Sequence, residues 1–244
     1  MTEHVPFERH AETRETLVVA AIAAAVGLAT GLFFMLAPQI DIAVSRSFQL
    51  PGGDFALSKS DFWRGLRELF LRAFTIWYIV VPVAGVLAYR MARPVMNLDW
   101  RRWLYIGTCS LIGPLLLVNV ILKEQWGRWR PREVLELGGS EGFTPVLDLA
   151  GSCDSNCSFV SGEVASMVMI FIALAFATRH WRPIHYGLAV VLGGLEALIR
   201  VGQGGHFLSD AIFAGVLMVL VAAAVHLWFF HSAFSPLRWF ERPA

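Results

Sequence analysis

Six apolar runs, each long enough to cross a membrane, constrain what this chain can fold into. They occupy approximately residues 17–37, 70–89, 103–122, 161–178, 186–201 and 207–230. Helices of about 16–24 residues match the hydrocarbon core of a bilayer, which is roughly 30 Å thick, with modest tilt. The sequence therefore predicts an all-α integral membrane protein, built as a six-helix bundle.

The composition agrees with a membrane protein. Hydrophobic residues make up 56% of the 244 positions and charged residues only 16%, whereas charged residues form about a quarter of a soluble domain. A soluble domain of this size cannot bury so much apolar surface, and intrinsic disorder is excluded for the same reason. The formal net charge is +1, so the chain offers no basic surface for nucleic acid. The bilayer is the expected partner.

The six runs divide the chain into one membrane domain, two long loops and two tails. The domain covers residues 17–230, the loops about 39–69 and 123–160, and the tails 1–16 and 231–244. Basic residues are spread evenly over the two faces, but short-loop pairs such as Arg101 and Arg102 favour cytoplasmic tails and outward-facing long loops. In the first long loop, an amphipathic stretch around Phe62 and Trp63 predicts a short interfacial helix.

Two of the three cysteines lie close together in the second long loop. Cys153 and Cys157 can form a small disulfide if this loop faces an oxidising compartment. Free thiols and a pair of metal ligands are the alternatives, although no His or further Cys stands nearby to complete a zinc site. Cys109 lies inside the third run, where a small apolar packing residue is expected.

Charged residues stand where a membrane protein needs a reason to keep them, at the ends of three spans. The first segment follows the third span, the second begins the fourth, and the third links the fifth to the sixth. Because successive spans alternate in direction, all three segments reach the same face of the membrane. The residues of interest are Lys123, Arg130, Ser161, Gly162, Glu163, Arg200, His206 and Asp210.

The cations and the helix start in this group suit phosphate. Lys123, Arg130 and Arg200 can each bind phosphate oxygens. The alternative is an interfacial anchor, for any single one of Lys123, Arg128, Arg130 and Arg132. Ser161 and Gly162 open a helix, whose free N–H groups and dipole favour an anion.

The third segment adds a nucleophile. His206 and Asp210 are four residues apart near a helix start, so they share a face. Asp210 can therefore fix the tautomer of His206 and leave the other ring nitrogen free for attack. The glycines of this segment, Gly202, Gly204 and Gly205, would let the backbone approach a ligand closely.

These segments resemble the type 2 phosphatidic acid phosphatase family of membrane lipid phosphatases, which is related to vanadium haloperoxidases. The family pattern is Lys, six residues, Arg-Pro; then Pro-Ser-Gly-His; then Ser-Arg, five residues, His, three residues, Asp. The first element is matched in full by Lys123 and Arg130-Pro131. The third is matched by Arg200, His206 and Asp210, with Ile199 in place of the Ser. The second reads Val160-Ser161-Gly162-Glu163, without the Pro and the His.

The resemblance implies a phosphatase that uses no metal or other cofactor. His206 would attack phosphorus and become a phosphohistidine, and Asp210 would orient it. The phosphoryl oxygens would be held by Lys123, Arg130, Ser161, Gly162 and Arg200. The substrate would be a membrane lipid phosphate or diphosphate, with lipid A or undecaprenyl diphosphate slightly preferred. The alternatives are a lipid phosphotransferase with the same intermediate and a degenerate, non-catalytic phospholipid-binding protein.

Glu163 stands where the family has the His that protonates the leaving oxygen. It could be a carboxylic acid tuned by an apolar setting, although neighbouring cations favour its carboxylate form. Otherwise, the substrate has a leaving group that needs little protonation, such as a sugar-1-phosphate or a diphosphate. Glu196, one helical turn before Arg200, is expected to pair with that arginine. We expect a bacterial inner-membrane protein whose active site faces the periplasm.

Overall fold

The computed structural model describes residues 4–232 and 235–237, with side chains from residue 12 onward. The predicted tails lie partly outside these residues. The α-helices are α1 His4–Leu36, α2 Gln39–Arg46, α3 Ala56–Lys59, α4 Asp61–Met91, α5 Trp100–Ser110, α6 Lys123–Gln125, α7 Gly162–Ala177, α8 Arg182–Gly202 and α9 Leu208–His231. A π-helix, Leu111–Leu122, joins α5 to α6 without a break.

The predicted all-α membrane architecture is confirmed. Five helical stretches are long and apolar enough to span a bilayer, and α7 is a shorter apolar helix among them. The five are Glu12–Leu36, Asp61–Met91, Trp100–Gln125, Arg182–Gly202 and Leu208–His231. Their bounds follow the predicted runs, because an apolar run in lipid satisfies its backbone as a helix.

The second span starts earlier than the apolar run suggested. The stretch around Phe62 and Trp63 is the first part of α4, which begins at Asp61 after the extended residue Ser60. The predicted separate interfacial helix is therefore wrong. This first part of α4 carries Arg64 and Arg67, and it brings Arg67 to the start of α7, where it contacts Glu163.

α7 is the centre of the bundle. Twelve of its residues are buried, and it packs against α5, α8 and α9. Around it, α1 lies on α9 so closely that a Cβ at Gly27 would be 2.9 Å from Val216 Cγ1. A central helix with apolar sides on all faces is what a buried span requires. The neighbouring helices therefore fix the position of the first residues of α7.

The third span carries its π-helix directly before Lys123, the first residue of α6. Pro114 lies inside the π-helix and lacks an N–H, and the Asn119 side chain donates to its carbonyl oxygen at 2.7 Å. Gly113 packs against α7 and α9, since a Cβ there would be 2.6 Å from Met169 Cε and 2.8 Å from Met218 Sδ. This close packing brings Asn119 to the start of α7.

A small second hydrophobic core lies at the end of the bundle that carries the two long loops. It joins α2, the segment before α3, the turn after Arg130 and the start of α9. Its buried members are Ile42, Phe55, Val134, Leu137 and Phe207. The two long loops are thus packed against the membrane domain.

Candidate active site

His206 is fixed in one tautomer by a backbone carbonyl. It lies between α8 and α9 and is only 2% exposed. Its Nδ1 lies 2.7 Å from the carbonyl oxygen of Ser158, an atom that can only accept, so Nδ1 carries the proton. The Nε2 lone pair is therefore the one available for attack.

Asp210 reaches His206 only through Ser158. The predicted direct contact is wrong, because Asp210 Oδ2 lies 4.0 Å from His206 Nδ1. Instead, the Ser158 hydroxyl donates to Asp210 Oδ2 at 2.5 Å, and the Phe207 backbone N–H donates to the same oxygen at 2.9 Å. The carboxylate thus fixes the residue that fixes the imidazole.

A buried arginine explains why Asp210 faces away from the imidazole. Arg128 is 0% exposed and forms ion pairs with Asp210 and with Asp41 of α2. It also donates to the Ser209 hydroxyl at 2.8 Å, and its guanidinium carbon lies 4.3 Å from the ring centroid of Phe207. From the sequence, Arg128 was considered only as a possible interfacial anchor, because it lies among the six variable positions of the first element.

The three predicted cations lie close enough to the imidazole to shift its pKa. Burial, together with the charges of Arg200, Lys123 and Arg130, holds the pKa of His206 well below its usual range. The low pKa keeps the imidazole neutral, as a nucleophile requires. Arg130 is itself held by Asn156, whose backbone and side-chain oxygens lie 2.6 and 2.7 Å from its Nη2.

The start of α7 borders the same site. Ser161 is its N-cap, with the hydroxyl oxygen 3.5 Å from the N–H of Val164. A Cβ at Gly162 would be 2.7 Å from Asn119 Oδ1 and 3.1 Å from Lys123 Nζ. Only glycine therefore lets Lys123 lie against this helix terminus, where an anion is favoured.

Glu163 is bound by arginines. Arg67 of α4 donates two hydrogen bonds to Glu163, from Nε to Oε2 at 2.8 Å and from Nη2 to Oε1 at 2.7 Å. Arg200 Nε lies 3.3 Å from Oε1, an ion pair too bent to be a hydrogen bond. A carboxylate is the form that accepts such a fork. Arg67 belongs to none of the three motif elements. The only signal for it in the sequence was Glu163 itself, because a carboxylate in place of the expected His needs a cationic partner.

The predicted pair between Glu196 and Arg200 is wrong. Within the described chain, Arg200 pairs with Glu163 and not with Glu196. Glu196 faces the carboxyl group of Glu163.

A cavity of about 470 Å³ opens beside these groups. It is lined by the motif residues Arg130 and Arg200, by Arg67, and by two further arginines, Arg64 and Arg132. Lys123, Glu163 and His206 are not among its lining residues, so the cavity borders the site on the side of Arg130 and Arg200. Within the described residues, no cluster of three or more His, Cys, Asp or Glu is placed to hold a metal ion.

The glycines at the end of α8 and just after it pack closely against side chains of the protein itself. Gly204 has φ +65°, and a Cβ there would be 2.5 Å from the Phe55 ring. A Cβ at Gly202 would be 2.3 Å from Leu57, and one at Gly205 would be 2.5 Å from Arg200 Nη2. The expectation that they admit a ligand is replaced by a packing role.

The predicted disulfide between Cys153 and Cys157 is present, and Cys109 is a buried free thiol. The disulfide loop runs beside the first motif. Cys157 N–H donates to the Lys123 carbonyl at 3.0 Å, and Ser158 N–H donates to that of Arg128 at 2.7 Å. The loop therefore joins the cations to the carbonyl that holds His206.

Comparison with known proteins shows which family the chain belongs to. A model of the PAP2 superfamily matches residues 102–233. A lipid A 4'-phosphatase of Francisella tularensis subsp. novicida is 31% identical over 80% of this chain and 88% of its own length. A lipid A 4'-phosphatase of Rhizobium etli is 35% identical over 79% of this chain and 80% of its own. A third, from Rhizobium leguminosarum, is 38% identical over 66% and 69% respectively.

The fold agrees as well. A transmembrane PAP2-type phosphatidylglycerolphosphate phosphatase from Bacillus subtilis, solved by crystallography, has a TM-score of 0.52 at 18% identity. The match covers 84% of this chain and 93% of that one. With family model, relatives and helix arrangement in agreement, the chain belongs to the PAP2 superfamily and is a membrane lipid phosphatase.

Proposed function

We propose that this protein removes a phosphate from a lipid A-type glycolipid through a phosphohistidine at His206. One observation carries the mechanism: a neutral imidazole, held by the Ser158 carbonyl with Nε2 free, lies within the field of three fixed cations. The substrate class rests on the relatives, which are named lipid A 4'-phosphatases.

The reaction has two steps at phosphorus. The Nε2 lone pair of His206 attacks, the N–P bond forms, and the P–O bond to the sugar breaks as its oxygen takes a proton. Water then attacks, the N–P bond breaks, and inorganic phosphate leaves as a proton from water returns to the acid. Lys123, Arg130 and Arg200 stabilise the charge on the equatorial oxygens, together with the start of α7.

A 4'-phosphate changes the expectation for the leaving group. It is an ester of an ordinary sugar hydroxyl, unlike a sugar-1-phosphate or a diphosphate, so its departing oxygen needs a proton. A lipid A-type substrate therefore requires an acid at the position of Glu163, and the option of an easy leaving group does not apply.

The site belongs at the outer leaflet of a bacterial inner membrane, facing the periplasm. The Cys153–Cys157 disulfide supports this orientation, because disulfides persist in oxidising compartments. The acyl chains of the substrate would stay in the bilayer while its phosphate enters the arginine-lined cavity.

Phosphate release from a panel of purified lipid phosphates, measured in detergent with a chelator present, tests the proposal. Release from the lipid A-type member is expected, with activity lost in His206→Ala. His180→Ala, an exposed histidine outside the site, is the matched control and should keep full activity.

Three results would overturn the proposal. Loss of activity on chelation contradicts a metal-independent reaction. Transfer of labelled phosphate to another lipid, without free phosphate, indicates a phosphotransferase. Binding of the panel without any release indicates a non-catalytic phospholipid-binding protein.

A further inference from the structure

Glu196 is a buried acid that the two-step mechanism leaves without a role. It lies on α8, is 0% exposed, and faces the carboxyl group of Glu163 on α7. Within the described chain, neither of its oxygens receives a hydrogen bond from an N–H or O–H group. The arginines that could neutralise it, Arg67 and Arg200, are turned to Glu163 instead.

This arrangement decides which of the two acids carries a proton. Two facing carboxylates repel each other, and an ionised carboxylate buried without donors is strongly disfavoured. Glu163 accepts the fork of Arg67 and is therefore the ionised member. A proton on Glu196 removes the repulsion and lets its hydroxyl donate to Glu163. The pair then holds a single proton, which lies on the fully buried member, Glu196.

We propose that Glu163 and Glu196 share this proton and together act as the acid–base group that serves the leaving oxygen. Glu163, with a side chain 17% exposed, is the catalytic acid that meets the substrate. Glu196 acts through it and is a positioning residue that also supplies the proton. This inference rests on the proposed function, because only a poor leaving group needs the acid.

The proton balance closes over one turnover. As the P–O bond to the sugar breaks, the single proton of the pair moves from Glu196 to Glu163, and Glu163 passes it to the departing oxygen. The pair is then doubly ionised between Arg67 and Arg200, which stabilise it. In the second step, the attacking water gives one proton back to Glu163, and the pair returns to its starting state.

The test compares two substrates that differ in their leaving groups. Glu196→Gln keeps the shape and a donor to Glu163 but has no transferable proton. We expect it to lose about 10²-fold or more in kcat on the lipid A-type phosphate, as for removal of a general acid. On p-nitrophenyl phosphate, whose leaving group needs no proton, the loss should stay within about threefold. The control Glu136→Gln, an exposed acid of the second long loop, should match wild type on both.

Double variants give a second measurement. Glu163→Gln should show the same split, and the double variant should be no slower than the slower single one, because residues acting as a unit are not additive. If Glu196→Gln fails to fold in a thermal unfolding assay, the split in Glu163→Gln alone decides. Equal losses on both substrates, or no loss on the lipid, would overturn the shared-proton proposal.

Failure of the proposed function gives a different result. If wild type released phosphate from p-nitrophenyl phosphate but from no lipid A-type substrate, the substrate assignment would be wrong. The comparison would then be repeated with other alkyl phosphates of the panel, where absence of the split would still overturn the role of Glu196.

Discussion

The imidazole of His206 and the carboxylate of Asp210 lie 4.0 Å apart and communicate through Ser158. The Ser158 carbonyl accepts from His206, while its hydroxyl donates to Asp210. One residue thus connects the nucleophile to the buried Arg128. This relay differs from a triad in which the carboxylate holds the imidazole directly.

Substitutions at the relay should separate its two halves. Asp210→Asn should lower kcat by about 10²- to 10⁴-fold, as loss of an orienting carboxylate does in a triad. Ser158→Ala keeps the carbonyl on His206 and loses only the hydroxyl, so about tenfold is expected for one hydrogen bond to a charged group. Phosphate release at saturating substrate measures both. If Ser158→Ala were as slow as Asp210→Asn, the Ser158 carbonyl alone would not be enough to orient His206, which would contradict this expectation.

Arg128 should contribute strongly to the free energy of unfolding. It is fully buried between two carboxylates, so Arg128→Met should cost about 3–5 kcal/mol by leaving them unpaired. Arg64→Gln removes an exposed pair with Asp61 and should cost less than about 1 kcal/mol. Chemical denaturation in detergent compares the two. Equal costs would mean that the buried network contributes little.

The pH dependence should reflect the low pKa of His206. The unfolded chain takes up a proton on this residue near pH 6.5, whereas the folded protein does not. The contribution to stability is therefore complete above about pH 6.5 and declines as the pH falls below that value. His206→Gln should flatten this decline in the free energy of unfolding. In wild type, kcat/KM should show no loss of nucleophile near pH 6.5, and an acidic limb there would contradict the buried, neutral imidazole.

Restoring the family's histidine should fail unless Arg67 is also changed. Glu163→His removes the carboxylate that holds Arg67 and Arg200 and places an imidazole between two cations. We expect phosphatase activity to fall by about 10²-fold or more, the contribution of general acid catalysis. Adding Arg67→Gln relieves the repulsion and should recover part of the loss. Arg67→Gln alone, as the control, should not raise activity.

Gly204 should tolerate no side chain. Gly204→Ala forces a Cβ against the Phe55 ring at φ +65°, and should destabilise the protein by more than about 1 kcal/mol. Gly65→Ala, in α4 with nothing within 4 Å, should instead stabilise it by up to about 1 kcal/mol through helix propensity. Thermal unfolding measures both. A neutral Gly204→Ala would show that the Phe55 contact can shift freely.

The sequence predicts the spans because burial in lipid depends on apolar length, which can be read directly. It places the start of α4 too late, since the charged residues Arg64 and Arg67 precede the apolar run, whereas the helix already begins at Asp61. The motif cations and His206 were predictable, because fixed spacings and alternating topology bring their segments to one face.

Partners within the site were harder to predict. Ser158 acts through its carbonyl, an atom that every residue has, so no residue type signals it. Asp41 lies in α2 and Arg128 follows α6, so they are far apart in the sequence and meet only through packing. Glu196 was expected to form an ion pair with Arg200, one helical turn away. Arg200 pairs instead with Glu163, whose carboxylate also binds Arg67.

The position of Arg128 in the chain has a consequence for biogenesis. It joins an aspartate 87 residues before it to another 82 residues after it. A nascent chain that has inserted every helix except α9 therefore lacks the second counter-charge, and Asp41 alone must neutralise the guanidinium. The network around Arg128 is complete only when α9 has been inserted. Translation products truncated before α9 should therefore have no phosphatase activity on membrane lipids.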